Sequence, residues 1–440
     1  MLQTIKKAFQ IEEIRKKILF TFVMLVVIRF GSQIPTPGVN AEYIQAFFAH
    51  ETSASVLNLL NAFTGGSFTQ MSIFALSISP YITSSIIVQL LTIALPKLEE
   101  WQKEGETGKK KMTKLTRIVT VALAVVESAA MAIGFGRQGL LSDGGTVQSI
   151  IVTVFTLTAG SAFLMWIGER ITERGIGNGI SMVLLFNILS TMPGDFVNLY
   201  QKFIQNQPIW KIAIAVAVIL IVLLFMVVFV VILQEGESRV PVQYAQKVQG
   251  RKNVGGRSSH IPLKVNTAGV IPVIFSSSIM QVPVIIATLM GKDSGDGIGA
   301  HILRGLSSNN WVNPKQIYYS WGLIIYIILT VFFAYFYTSI TFNPLEVANN
   351  MKKSGGSIPG IRTGAPTVEH LTKKLNYIIF VGATALIIVQ VVPFIFNGIF
   401  GAQVSFLGTS LIIIVGVVLE TLKQVESQML VRNYKGFLNT

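Results

Sequence analysis

Residue types that do covalent or redox chemistry are scarce in this 440-residue chain and are nowhere set together. It has no cysteine, which removes thiolate metal sites, a cysteine nucleophile and any disulfide framework. Its four histidines, His50, His260, His301 and His370, are scattered over segments expected to be loops, and there is no H-E-x-x-H pair. Gly105-Glu106-Thr107-Gly108-Lys109 has the wrong spacing for a phosphate-cradling loop. Gly175-Ile176-Gly177-Asn178-Gly179 looks like a nucleotide fingerprint but lacks the strand–turn–helix context, and reads as a tight turn between two helices. No enzymatic constellation emerges, no cofactor or metal is expected, and no source of energy for work is visible within the chain.

The chemistry that remains is the handling of water by apolar side chains and hydroxyls. Met71 to Leu95 is long enough to meet the ~20 residues that a bilayer core requires. It carries no charge, yet it holds Ser72, Ser77, Ser79, Thr83, Ser84, Ser85 and Gln89, and Pro80 removes a backbone donor from the middle of the expected helix. A helix facing only lipid has no use for so many hydroxyls, so this one is expected to line an aqueous path. Ahead of it, Val56 to Phe63 is too short to cross, and a Gly65-Gly66 break separates the two. A short apolar segment beside a full span reads as re-entrant, tolerated at membrane depth only where protein or a water-filled cavity surrounds it. Ile78 and Ile82, four apart, share one face of that expected helix. They fit either ordinary buried packing or a constriction that closes by dewetting, and periodicity alone does not choose.

Two ionisable residues fall inside apolar stretches. Glu127 lies mid-span in VALAVVESAAMA, where a charge costs at least ~2.5–3.5 kcal/mol, so it must face other helices or water. A structural hydrogen bond between helices and a role in a gate or ion path are both open readings. Arg29 lies near the outer end of the first span, where it is expected to snorkel to the headgroups.

The elements that must position these residues follow from composition. The chain is 51% apolar and 13% charged, against roughly 25% charged in soluble domains; this describes a polytopic membrane protein. Met1 to Phe30 has the basic start and apolar run of a signal peptide, but no A-x-A-like site follows and the run continues into Ile34-Pro35-Thr36-Pro37-Gly38, so a retained first span is expected. Cutting apolar runs at charge, Gly and Pro clusters gives ten spans, near 18–34, 71–95, 117–136, 150–168, 179–192, 210–233, 267–290, 317–340, 376–394 and 404–422.

The net charge of +14 matters through its placement. With the N-terminus inside, 28 of the 35 Lys and Arg fall in segments expected to be cytoplasmic. Six (Arg137, Lys202, Lys211, Lys292, Arg304 and Lys315) fall on the other side, along with Asp143, Asp195, Asp293 and Asp296. Both termini are therefore expected inside. Ten spans then divide into halves at 1–195 and 196–440, five spans each, and an odd number per half gives the two halves opposite orientation about an axis in the membrane plane. No residue-level repeat supports this; it rests on topology. Gln234–Lys264 and Thr341–Lys374 are long cytoplasmic loops carrying QGRKNVGGR and MKKSGGSIPGIRTG. Their charge suits topology, but their length points to docking surfaces.

Seven stretches together resemble the SecY family of protein-conducting channels over essentially the whole chain. They are IPTPG at Ile34–Gly38, SIFALSISPYITSSIIVQLL at Ser72–Leu91, MWIGERITERGIGNGIS at Met165–Ser181, RVPVQYA at Arg239–Ala245, HIPLKVNTAGVIPVIFSSS at His260–Ser278, FNPLEVANNMKKSGGSIPGIR at Phe342–Arg362 and GTSLIIIVGV at Gly408–Val417. The resemblance implies an all-α bundle of ten transmembrane helices, two five-helix halves of inverted topology around an hourglass pore, in the bacterial plasma membrane. It implies a plug at about Val56–Gln70, including Leu57, Leu60, Phe63, Gly65 and Gly66, and a ring of aliphatic side chains at Ile78, Ile82, Leu184, Ile188, Ile274 and Ile413. Leu184 stands where isoleucine is usual, keeping volume and apolarity. A lateral gate between the second and seventh spans, flanked by the third and eighth, would carry a polar cluster of Thr83, Glu127 and Ser278. Arg251, Lys252 and Arg362 match basic positions that dock the SecA motor ATPase or the ribosome, with ribosomal RNA the only nucleic acid implied. SecE-like and SecG-like membrane subunits, signal sequences, translocating polypeptides and the lipid bilayer complete the implied partners. The competing class, a secondary transporter with inverted repeats, needs convergent charged or carbonyl ligands at midplane, and only Glu127 is available there.

Overall fold

The computed structural model describes residues 9–39, 64–137, 139, 141, 145–205, 207–244, 247–249, 252–254, 258–289, 297–308, 310–312, 317–400 and 407–438. Long apolar runs without internal charge can satisfy their backbone in lipid only as helices, and the described residues are organised accordingly. Ten helices follow the ten expected spans: α1 (Glu12–Gly31), α2 (Ser79–Ala94), α4 (Glu106–Arg137), α5 (Val147–Arg174), α6 (Gly179–Phe203), α7 (Ile209–Glu235), α8 (Ile271–Leu289), α10 (Trp321–Thr341), α12 (Ala365–Phe400) and α13 (Thr409–Leu438). Short helices α3 (Pro96–Lys103), α9 (Ile298–Leu306) and α11 (Pro344–Lys353) lie between them. Among the described residues six helices are individually long and apolar enough to cross a membrane, and α2 with α3 forms one further pair, bent by 105°.

Packing sorts the helices into two bundles. In the first, α5 packs on α1, α4 and α6, and α4 on α2; in the second, α10 packs on α8 and α12, and α7 on α12 and α13. The bundles meet along α6–α13 and along α4–α8. Most helices overrun or undershoot the expected spans by some residues, and two of these differences bear on the site. The fifth helix does not stop at 192 but runs through Pro193 to Phe203, because a proline inside a long helix removes a single donor while the rest of the ladder persists. Position 195 therefore lies within α6, which ends at Phe203.

The second helix starts at Ser79, with Pro80 in its first turn, where a missing N–H goes unnoticed. Pro80 is thus not a mid-helix break. The eight residues before Ser79 form consecutive turns, with Met71 and Ser77 at φ 43° and 52°. This strap, from Thr64 to Ile78, is held by an isolated antiparallel bridge between Pro35 and Ser72, with Thr36 N–H donating to Met71 C=O at 2.8 Å and Ile73 N–H to Ile34 C=O at 3.0 Å. Phe68, Met71, Phe74, Ala75, Leu76 and Ile78 are buried beneath it. Gly160 of α5 lets the strap approach: a Cβ there would lie 1.9 Å from the Ile73 carbonyl oxygen.

The two long basic loops are not loops throughout, so the chain is not wholly α-helical. β1 (Glu237–Tyr244) pairs antiparallel with β4 (Ser258–Lys264), and the end of β1 pairs with β5 (Gly356–Ser357) from the other loop. A two-stranded ladder, β2 (Lys247–Gln249) with β3 (Lys252–Val254), extends the first loop. Alternation along β1 puts Val240 and Val242 inside, in a core with Leu263, Ala348, Met351, Ile358 and Leu371. Arg239 faces out and donates to Glu237 Oε1 at 2.7 Å, which holds that carboxyl below the usual carboxylate range. His260 lies in β4 and His370 in α12, not in loops, and His301 lies in α9 with Nδ1 2.9 Å from Tyr319 Oη.

Gly160→Ala should destabilise the protein by about 1–3 kcal/mol, the usual range for an over-packed core, and lower its melting temperature in detergent. Gly194→Ala, at a helical position with open space around it, should be neutral or slightly stabilising in the same measurement.

Candidate functional site

The centre of the molecule is an aliphatic seam. Ile78, at the end of the strap, is completely buried in a cluster with Ile28, Phe74, Leu164, Ile167, Ile171 and Val183, against which Ile82 and Leu184 pack. A second cluster joins Ile188 of α6 to Ile413 and Val417 of α13, and Leu184 packs against it too. Five of the six expected ring residues thus meet in two clusters hinged on Leu184, drawn from both bundles. Ile188 is 1% exposed and Ile413 4%, while Ile82 and Leu184 are half-buried. Ile274 is half-buried in the first turns of α8 and belongs to neither cluster; its N–H donates to Val270 C=O, and Val270 packs against the second cluster.

Polar groups border this seam. Asn187, buried and adjacent to Ile188, donates from Nδ2 to Ser77 Oγ at 3.0 Å. Three residues on, Ser190 Oγ lies 3.2 Å from the Gly65 carbonyl. Arg29 is not directed to headgroups as expected: its Nη1 donates to the same Gly65 carbonyl at 2.9 Å. The sequence offers a snorkelling residue because its spacing from the membrane edge is visible, whereas the fold returns a backbone carbonyl to within reach. Gly65 and Gly66 adopt φ 68° and 87°, the left-handed region in which glycine is at ease. Leu57, Leu60 and Phe63 lie outside the described residues.

Thr83, Glu127 and Ser278 stand on α2, α4 and α8, and no hydrogen bond joins them. Thr83 and Ser278 are exposed, Glu127 is half-buried, and Glu127 has no hydrogen-bond partner among the described residues. The polar ties on this side are others. Ser84 Oγ and Thr120 Oγ1 are 2.5 Å apart between α2 and α4, and Ser128 Oγ and Thr158 Oγ1 are 3.1 Å apart between α4 and α5. Between bundles, Tyr337 Oη of α10 donates to Gln89 Oε1 of α2 at 3.5 Å. Hydroxyls spaced along one helix signal such ties, but their partners come from distant sequence.

The other seam, α6–α13, is clasped more fully. Gly177 N–H donates to Gln424 Oε1 at 2.7 Å, Lys17 Nζ to Gln428 Oε1 at 3.2 Å, and Ile14, Ile176 and Val425 share a buried cluster. Here the glycine-rich motif is a tight turn, as expected: Asn178 Oδ1 caps α6 by accepting from Ile180 N–H at 3.1 Å, and Thr172 Oγ1 accepts from Gly179 N–H at 2.8 Å. On the basic loops, Arg362 is exposed beside Gly360 and Gly364, and its carbonyl accepts from Thr367 Oγ1. Lys252 lies in β3 opposite Gln249; Arg251 is outside the described residues. No group of three or more His, Asp or Glu among the described residues is placed to hold a metal ion.

Two helix bundles that meet along an aliphatic seam, with a non-helical strap contributing Ile78 to it, define a polytopic α-helical membrane protein. The SecY family model matches residues 72–422. The chain is 42% identical to the protein translocase subunit SecY of Corynebacterium glutamicum over 99% of this chain and 100% of that protein. It is 40% identical to that of Bacillus subtilis over 100% of both. A solved structure described as a protein conducting channel superposes with a TM-score of 0.63 at 18% identity, covering 94% of this chain and 93% of that one. Sec61 in the canine ribosome-channel complex gives 0.59 at 18% identity, covering 94% and 93%. The chain belongs to the SecY family.

The Ser84–Thr120 contact is open to a double-mutant cycle. Ser84→Ala and Thr120→Ala, alone and together, should show a coupling of about 0.6–1.7 kcal/mol in unfolding from lipid bicelles, the range found for hydrogen bonds between membrane helices.

Proposed function

We propose that this chain forms the channel through which unfolded secretory polypeptides cross the plasma membrane, and from which transmembrane segments pass sideways into lipid. The observation that carries the reading is the aliphatic waist: Ile78, Ile188 and Ile413, buried, with half-buried Ile82 and Leu184 packed against them, contributed by both bundles. Fully burying such a side chain is worth ~1.5–3 kcal/mol, so the idle waist closes on itself and expels water. Aliphatic side chains change rotamer around varied substrates and form no strong specific bonds, which suits a passenger of arbitrary sequence. Ile274, on α8 beside Val270, completes the ring when the waist closes on a chain.

Residues 56–70 act as the plug, a second seal below the waist. The two bundles are the inverted halves, with both termini and the basic loops cytoplasmic. The gate opens along α2 and α8, flanked by α4 and α10, where exposed Thr83 and Ser278 and half-buried Glu127 part without stranding strong polar pairs. A signal helix entering there gains apolar contact with lipid and shifts the balance toward the open state, because it binds that state better. The composite sheet of β1, β4 and β5, with Arg251, Lys252 and Arg362 nearby in sequence, is the docking face for a SecA-type motor or the ribosome, and the energy for transport comes from that partner. Related structures include Sec61 in a canine ribosome-channel complex and yeast Ssh1 bound to the 80S ribosome. SecE-like and SecG-like subunits cover the lipid-facing helices. Membership of a translocase family leaves the secondary-transporter reading without support.

Disulfide trapping tests the path in this cysteine-free chain. Ile82→Cys and Ile188→Cys, each in turn, should both cross-link to one cysteine in a stalled secretory substrate; cross-links from neither would reject the central path. Arg362→Glu should slow motor-driven export at least tenfold with unchanged folding and membrane insertion, and wild-type export kinetics would remove Arg362 from the docking face.

A further inference from the structure

The guanidinium of Arg29 is a charged donor in the last turn of α1 that serves only neutral oxygens. Nη1 lies 2.9 Å from Gly65 C=O, 3.4 Å from Ser32 Oγ and 3.5 Å from Ser190 Oγ. Among the described residues no carboxylate stands within salt-bridge distance of it. Ser190 carries a single hydroxyl proton and sits 2.7 Å from Asn187 C=O and 3.2 Å from Gly65 C=O. The shorter contact takes that proton, so Arg29 is the principal donor to Gly65. Gly65 is also pressed against α6, since a Cβ on it would lie 2.9 Å from Ser190 Oγ and 3.1 Å from Asn187 Cα.

One turn of α6 therefore grips both ends of the strap. Ser190 and Asn187 pack against it at Gly65, and Asn187 Nδ2 bonds it at Ser77. Between these two residues in sequence comes Ile188, a wholly buried member of the waist. The waist and the end of the plug segment are thus fixed to the same helical turn, and Arg29 reaches across from α1 to complete the hold.

The geometry points to Arg29 as a positioning residue that latches the start of the strap: its hydrogen bond to the Gly65 carbonyl fixes Gly65 against the α6 turn bearing Ile188, so residues 64–70 leave that turn only when the bond is released. The inference rests on the channel reading above. A carbonyl is a suitable catch for such a latch. A charge-assisted bond to it is strong enough to bias the closed state, yet it lacks the directional lock of an ion pair, and the cation is left to find solvent or another carbonyl when the segment moves.

The test uses the complex with its membrane subunits, reconstituted in planar lipid bilayers. Arg29→Gln should raise idle ion conductance by about ten- to a hundredfold, the change in closed-to-open ratio expected for losing one charged hydrogen bond. Arg29→Lys, keeping the charge, should leak less than Arg29→Gln. Conductance of Arg29→Gln equal to that of the unaltered complex, at equal melting temperature, would overturn the latch. Ile188→Gly separates this from failure of the channel reading: a leak there with none from Arg29→Gln rejects the latch alone, and a leak from neither rejects the channel reading.

A second arm leaves Arg29 intact. Gly65→Cys with Ser190→Cys brings two thiols within disulfide reach, and the reduced pair serves as its own reference, because cysteine at φ 68° is disfavoured. Oxidation should block signal-triggered translocation and reduction should restore it. Normal translocation through a fully cross-linked population would show that Gly65 need not leave α6, and the latch would fall. In the Arg29→Gln background, oxidation of the same pair should return idle conductance to the unaltered level.

Discussion

A chain embedded in lipid must find partners for its backbone hydrogen-bonding groups within itself, and everything central to this molecule depends on how residues 64–78 meet that demand. This strap is not helical, so its N–H and C=O groups cannot close on the i±4 ladder. Turns within the strap meet part of the demand, among them Ala75 N–H to Ser72 C=O and Ser77 N–H to Phe74 C=O. The fold supplies further partners, residues 34–36 through the Pro35–Ser72 bridge and Arg29 through the Gly65 carbonyl, while Asn187 of α6 adds a side-chain bond to Ser77 Oγ. Gly160 is the steric side of the same arrangement, since the Ile73 carbonyl occupies the space where a side chain would be.

The two seams between bundles differ in chemistry. Along α6–α13, apolar clusters and three side-chain contacts, Gln424 with Gly177, Gln428 with Lys17 and Met182 with Thr421, knit the bundles together. On the opposite side the bond between Tyr337 and Gln89, 3.5 Å long, joins α10 to α2, while Thr83 and Ser278 remain exposed. A hydrogen bond between membrane helices is worth only ~0.6 kcal/mol on average. The second seam is therefore held by weaker polar ties than the first. The aliphatic residues of the central seam come from both bundles and pack without polar bonds between them.

The basic loops show how two polar segments acquire a common core. Each alone is a Gly-rich polar segment with too few apolar residues for a core. Joined through the β1–β5 pairing, they bury Val240, Val242 and Leu263 from one loop against Ala348, Met351 and Ile358 from the other. Arg362 then projects from a defined surface, its backbone tied down by Thr367.

Much of this was legible in the sequence because it depends on local chemistry. Charge-free runs of spanning length give the ten helices, the skew of Lys and Arg gives their expected orientation, and the Gly65-Gly66 break marks a non-helical stretch ahead of the second helix. Sequence periodicity also put Ile78 and Ile82 on one face, but it treated residues 71–78 as helix and Pro80 as a mid-helix break, since nothing local reveals that the backbone there pairs with residues 34–36 and that Asn187 bonds the Ser77 hydroxyl. Likewise Pro193 reads as a stop when only neighbours are considered, whereas α6 continues through it in the packed bundle. The direction of Arg29, the pairing of two distant loops into one sheet and the meeting of α6 with α13 were decided by tertiary structure alone. In each case the deciding partner lies far away in the chain, and a hydrogen bond or close contact between distant segments leaves no periodic trace in either one.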